Sequence, residues 1–168
     1  MNKPTMILLV GPTGCGKSTF RKKYLAQFPC ISPDDFIVGR WDPNKTFAAW
    51  CYAERVAKIF FGYNQSFIVD AQFVSPDARN KWVKMARSFG FETVAIRFVT
   101  PWNQLMVNHK KRGDRGGYGR IPPEAISASY EKFTQAMAGT SNWFLFDKLL
   151  TIRWGNRKDR ECLMKELS

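Results

Sequence analysis

Residues 11–19 read "GPTGCGKST": glycines at 11, 14 and 16, a lysine at 17, then two hydroxyl residues, Ser18 and Thr19. The order Gly11, four residues, Gly16-Lys17-Ser18 fits the phosphate-binding pattern G-x-x-x-x-G-K-[ST]. Glycines let a backbone turn tightly and bring its N–H groups onto phosphate oxygens. A helix opening near Lys17 aims the positive end of its dipole at the same oxygens. In this arrangement Gly11, Thr13, Gly14, Cys15, Gly16 and Thr19 line the phosphates. Lys17 reaches the β and γ phosphates and the Ser18 hydroxyl ligates Mg²⁺. None of the three Asn-Lys pairs, "NKPT", "NKTF" and "NKWV", is the guanine-reading N-K-x-D, so the expected nucleotide is ATP.

A second group of residues could serve whatever receives the phosphate. "SPDDF" (32–36) follows a short strand-like run, which places Asp34 and Asp35 beyond a sheet edge beside the phosphate loop. A carboxylate there can take the proton of an incoming hydroxyl, with Asp34 ahead of Asp35 for that role. Asp70 closes "SFIVD" as the acid of a Walker B strand would, where it could act on Mg²⁺ through water or orient acceptor groups; Gln72 is close enough in sequence to touch the same acceptor. The third group is the basic, glycine-rich "KKRGDRGGYGR" (110–120), with five cations and one acid. Arginines on such a flap suit charge developing on a transferring phosphoryl group. Arg112 is the best placed, followed by Arg115 and Arg120, while the lone histidine, His109, reads as a solvated helix residue.

The elements that position these groups alternate. Strands are expected at 6–10, 30–32, 66–70, 91–99 and 148–154, and helices at 17–28, 44–64, 75–90, 101–113, 122–138 and 157–167. On the second helix Phe47, Trp50, Cys51, Ala57 and Phe60 are expected to share the buried face. The alternation predicts an α/β fold, a three-layer sandwich of the P-loop NTPase type. It would have about five parallel strands, helices on both faces, and a basic Gly-rich lid near 109–121. Ligands of such sheets sit beyond the carboxyl ends of the strands.

Length and composition agree with residues 1–168 forming one such domain. Apolar residues make up 45% and are spread along the chain, which argues against disorder. No apolar run approaches the roughly 18 residues of a membrane helix. No signal peptide is apparent, so a cytoplasmic location is expected. Cys15, Cys30, Cys51 and Cys162 form no C-x-x-C pair and suggest neither zinc nor a disulfide framework. The formal charge of +12 favours a polyanionic partner, DNA or RNA, and nothing in the chain calls for a membrane or a protein partner.

Several motifs together have a precedent: "GPTGCGKST", "DDF" seventeen residues after the lysine, "VDAQFVSPDARNKW", "PWNQLMVNHKKRG" and "IPPEAISASYEKF". On these the chain resembles, over roughly residues 6–138, the 5′-kinase domain of phage polynucleotide kinase-phosphatase. That domain stands within the wider P-loop kinases that include zeta toxins and antibiotic phosphotransferases. The resemblance implies Asp34 as general base, Arg112 as lid arginine, Lys17 and Ser18 on phosphates and Mg²⁺, and Asp70 near the acceptor. It implies transfer of the γ-phosphate of ATP to a hydroxyl on nucleic acid, with a 5′-OH end as the leading acceptor. Three places depart from the pattern. Ile37 stands where an arginine usually follows "DD", leaving Arg40 as the nearest; Asn108 replaces an earlier lid arginine; and "DRGGYGR" lengthens the lid. These changes keep two other acceptors open: 5-hydroxymethyluracil within phage DNA, or a small molecule or nucleotide. A base acceptor would want aromatics near the site, for which Phe36, Trp41 and Phe73 are candidates. Arg153, Trp154 and Arg157, after the last strand, are candidates for the adenine side.

Overall fold

The computed structural model describes residues 3–37, 43–113, 123–138 and 143–166. Five strands, β1 (Thr5–Val10), β2 (Cys30–Ile31), β3 (Phe67–Asp70), β4 (Glu92–Val99) and β5 (Lys148–Arg153), form one sheet in the order β2-β3-β1-β4-β5. Every neighbouring pair is parallel. Six helices accompany them: α1 (Lys17–Tyr24), α2 (Pro43–Gly62), α3 (Pro76–Ser88), α4 (Trp102–Gly113), α5 (Pro123–Ala138) and α6 (Arg157–Glu166). Short 3-10 turns occupy Pro33–Phe36 and Trp143–Leu145.

β1 reads as an unbroken apolar run because both of its sides are covered. Met6, Leu8 and Val10 face a core built with Ala53, Ala57 and Phe61 of α2 and Trp82, Val83 and Ala86 of α3. Ile7 and Leu9 face the opposite core with Phe20 of α1, Leu105 of α4 and Leu163 of α6. All five β1 residues from Met6 to Val10 are fully buried. The fold therefore has three layers, as the alternation of elements predicts.

Two sequence expectations are corrected. α1 ends at Tyr24 rather than running to residue 28, because Leu25 leaves the helical path to bury itself completely beside Phe20. On α2, Phe47 and Cys51 are exposed, and the buried face runs through Ala49, Ala53, Ala57 and Phe61, with Trp50 and Phe60 packed at its edge. Small alanines bring α2 close to the sheet, and the volume is filled instead by Phe67 and Phe73, whose rings meet Phe61 and Trp50 at 5.1 and 5.6 Å.

Register sets up the functional edge. Leu9 pairs with Asp70, Val10 with Arg97, and Ile31 with Val69. The ends of β1, β2 and β3 thus lie nearly level, and the segments leaving them, 11–16, 32–36 and 71–74, emerge side by side.

Candidate active site

The loop after β1 has the backbone that its glycines permit. Gly14 and Gly16 adopt φ of 83° and 96°, values that side chains resist. Gly16 is also the N-cap of α1, and no side chain caps that helix. Its first-turn amides are therefore left for an anionic ligand. Lys17 is 8% exposed, and its Nζ donates to the carbonyls of Gly11 at 2.9 Å and Pro12 at 3.1 Å. The lysine thus lies across the loop it serves. Ser18 and Thr19 are exposed at the start of α1, and Thr13 is half-buried. Cys15 is buried, which pushes its thiol up, although the Lys17 ammonium beside it pulls the other way.

Neighbouring elements brace this loop. The amide of Gly11 donates to the Gln72 carbonyl at 2.9 Å, joining the loop to the segment after β3. From the other side, the Thr100 hydroxyl donates to the Cys15 carbonyl at 3.3 Å. On α4, Gln104 Nε2 donates to Asn108 Oδ1, and Asn108 Nδ2 donates to the Gly14 carbonyl, each at 2.9 Å. The residue standing in place of a lid arginine is therefore a brace on the phosphate loop. Trp154, 47% exposed, leans on the loop from the turn after β5, its ring 3.9 Å from where a Cβ on Gly16 would stand.

The facing side is acidic. Asp34 and Asp35 lie on the Pro33–Phe36 turn, both exposed. Asp70 is buried at the end of β3, and Arg21 Nε from α1 pairs with its Oδ2 at 3.3 Å. Cys30 sits among these charges: burial pushes its thiol up to about 11, and Arg21, Asp70 and Asp35 all act on it. Gln72 is exposed beside the loop, and its Oε1 accepts from the Ser129 hydroxyl of α5 at 2.6 Å. Phosphate loop, paired carboxylates, Asp70 and Gln72 thus share one edge of the sheet. Arg112 falls in the last turn of α4. Arg40, Trp41, Arg115 and Arg120 lie outside the described residues. Of the aromatic candidates, Phe36 is exposed, but Phe73 is core, packed against Trp50 and Trp82.

Sequence reasoning missed several participants. Arg21 carried a signal: it stands four residues after Lys17, so both project from one face of α1. Thr100, Gln104 and Ser129 carried none, since only the tertiary fold brings them to the site. Arg79 was hidden as well. It is fully buried, and its Nη1 donates to the carbonyls of Phe73 at 2.8 Å and Val74 at 3.0 Å. Its guanidinium lies 4.3 Å from the centre of the Trp143 ring, and that of Arg97 lies 5.2 Å from it. Arg79 Nε and Nη2 and Arg97 Nε have no partner among the described residues.

A sequence-family model described as an AAA domain matches residues 6–137. The chain belongs to that family. Among solved structures, a candidate kinase from Chloroflexus aurantiacus superposes with a TM-score of 0.76 at 18% identity, covering 99% of this chain and 95% of that one. A chain of the Pnkp1/Rnl/Hen1 RNA repair complex gives 0.73 at 20%, covering 82% of this chain and 46% of that one. A gluconokinase from Sinorhizobium meliloti gives 0.60 at 14%, covering 99% and 95%. At such identities the likeness is one of fold. Family and fold together make this an AAA domain with the parallel-sheet architecture that these solved structures share. Among the described residues, no helix is long and apolar enough to cross a membrane.

Proposed function

We propose that this AAA-family chain is an ATP-dependent kinase, one domain throughout, that moves the γ-phosphate of ATP to a hydroxyl on nucleic acid, foremost the 5′-OH of a polynucleotide. The observation that carries the reading is the exposed Asp34–Asp35 pair on the turn that leaves β2, at the same sheet edge as the phosphate loop, with Asp35, Arg21 and Asp70 all near enough to act on Cys30. The formal charge of +12 argues for a polyanionic acceptor. One structural neighbour belongs to an RNA repair complex, which accords with that acceptor, while the gluconokinase neighbour keeps small acceptors in the test.

The chemistry assigns each group a task. Lys17 exchanges its two carbonyl partners for phosphate oxygens, and the first-turn amides of α1 point at the same charge. Asp34 takes the acceptor's proton as its oxygen bonds to the γ-phosphorus and the bond to the ADP oxygen breaks. Asp35, Gln72 and Arg40 serve the acceptor, and Arg112, with Arg115 or Arg120, serves the donor phosphates. Asp70 holds Arg21 rather than standing alone, which fits an orienting role better than a water-mediated metal role. Mg²⁺, when bound, neutralises phosphate charge; Ser18, exposed at the start of α1, is the residue placed to hold it.

The test is transfer from γ-labelled ATP to three acceptors in parallel: a 5′-hydroxyl oligonucleotide, a 5′-blocked duplex containing 5-hydroxymethyluracil, and a mixture of nucleosides with gluconate. Label on the 5′ end is expected. Label confined to the modified duplex reassigns the acceptor to a base, and label on small molecules alone removes the polymer reading.

A further inference from the structure

The turn that carries Asp34 ends on Phe36, and Phe36 is not core. It is 41% exposed, and its ring lies 6.1 Å from that of Tyr52 on α2, itself 54% exposed. Tyr52 in turn starts a stripe. Positions 52, 55, 59 and 63 recur at the helical period, and Tyr52, Arg55, Ile59 and Tyr63 are all exposed, Ile59 by 56% and Tyr63 by 80%. Packing does not need them, because the buried side of α2 is already filled by Ala53, Ala57 and Phe61. At 1.5 Å per residue the stripe runs about 10 Å along α2 from Tyr52 to Ile59, and Tyr63 continues it from the turn just past Gly62.

Its charge is unbalanced. Arg55 and Lys58 are exposed, and neither pairs with a carboxylate among the described residues. Glu54, the acid of this helix, is turned aside to Lys81. Exposed large apolar side chains are ordinary when scattered and informative when contiguous. Here they are contiguous, interleaved with unpaired cations, and start at the turn holding the proposed base. Rings that accept a base face, alternating with cations that accept phosphate, are the recognition chemistry of unpaired nucleic acid. A duplex has its base faces occupied and could use only the cations.

We propose that Phe36, Tyr52, Arg55, Ile59 and Tyr63 form a track for single-stranded nucleic acid, holding the acceptor's nucleotides that follow the reacting end. The track rests on the proposed function for its direction, since it starts at Asp34, but its occupant can be tested without catalysis. A strand laid on it places its end at the Asp34 turn and lets several weak contacts compensate for the missing arginine at Ile37.

The test is fluorescence anisotropy, without ATP, of 3′-labelled single-stranded DNA and RNA of two, four and eight nucleotides, against wild type, Tyr52→Ala/Tyr63→Ala and Arg55→Glu. All altered positions are exposed, and circular dichroism checks the fold. Affinity is expected to rise with length in the wild type. The aromatic double variant should lose tenfold or more on the eight-mer, and Arg55→Glu should flatten the salt dependence. ATP affinity, read in parallel, should not move. Length-independent binding, or unchanged eight-mer affinity in both variants, overturns the track. So does a variant that changes only sedimentation, which would make the stripe a contact between copies of the chain. Phosphorylation of the same oligonucleotides separates the two readings. Track binding without 5′ transfer removes the proposed function and keeps the track, whereas 5′ transfer that the variants leave untouched does the reverse.

Discussion

The amide of Gly11 donates to the carbonyl of Gln72 at 2.9 Å, so the first residue of the phosphate loop is held by the segment that leaves β3. Two parallel strands release their chains side by side, and this bond fixes one exit against the other. Gln72 is fixed in turn by Ser129, which donates to its side-chain oxygen at 2.6 Å. The phosphate loop, the segment after β3 and α5 are therefore one hydrogen-bonded unit, and a disturbance at any of them should be felt at the others.

Gly11 has no room for a side chain. A Cβ there would stand 2.8 Å from Cys15 Sγ and 3.2 Å from both the Cβ and the carbonyl oxygen of Phe98. Gly11→Ala should weaken ATP binding at least tenfold, read by calorimetry, with a modest loss of thermal stability. Removing the sulfur relieves the closest contact but not the backbone one. Gly11→Ala/Cys15→Ala should therefore recover part of the affinity, and a double variant no better than the single would place the damage elsewhere.

Arg79 is a second device acting on the same exit. Phe73 has φ of 48°, a left-handed value unfavourable for a bulky residue, yet its ring is buried between Trp50 and Trp82. Arg79 holds the carbonyls of Phe73 and Val74, one residue beyond Gln72. Burial pulls its guanidinium down to about 10, so it stays charged at neutral pH. Arg79→Met keeps much of the volume and loses both bonds. The melting temperature should fall, and ATP affinity, measured well below the melt, should fall with it through Gln72 and Gly11. A lower melting temperature with unchanged ATP affinity would limit Arg79 to the core.

The two acids of the site should separate kinetically. With Asp34 as the proposed base, Asp34→Asn removes the proton acceptor at nearly constant volume, so kcat should drop by about two to four orders of magnitude. ATP affinity should hold. Asp70→Asn frees Arg21 from its buried partner at 3.3 Å. Its effect should be felt in acceptor KM as well as kcat, and Arg21→Ala should resemble it. Equal kcat losses with untouched KM for both acids would mean that Asp70, not Asp34 alone, handles the proton.

Much of this was legible in the chain. The phosphate loop, the five strands and the β3 acid are local signals: an apolar run, a glycine spacing, a terminal aspartate. What the sequence misjudged depended on partners distant along the chain. Phe47 and Cys51 carry the right period, but the alanines win the sheet because they let α2 approach. Phe73 looks like a site aromatic and is core, held there by Arg79, while Phe36 is left open. Asn108 reads as a lost arginine, yet its amide reaches the Gly14 carbonyl from α4, a contact no spacing rule contains.

The same long-range logic gives an acid-sensitive joint away from the site. Asp147, just before β5, accepts from the Thr93 amide and hydroxyl, each at 2.7 Å, and from Arg87 at 3.4 Å. Burial raises its carboxyl, but the Thr93 bonds and the charges of Arg87 and Lys3 outweigh it, and the net shift is downward. A carboxylate lowered on folding stabilises the fold above its unfolded value of about 3.9, and that stability is lost as pH falls through the lower folded value. Unfolding midpoints of wild type and Asp147→Asn should therefore differ most at neutral pH, with the variant the weaker, and should converge below about pH 4. A gap that persists unchanged to pH 2 would mean that the substitution costs packing or geometry rather than the charge of Asp147.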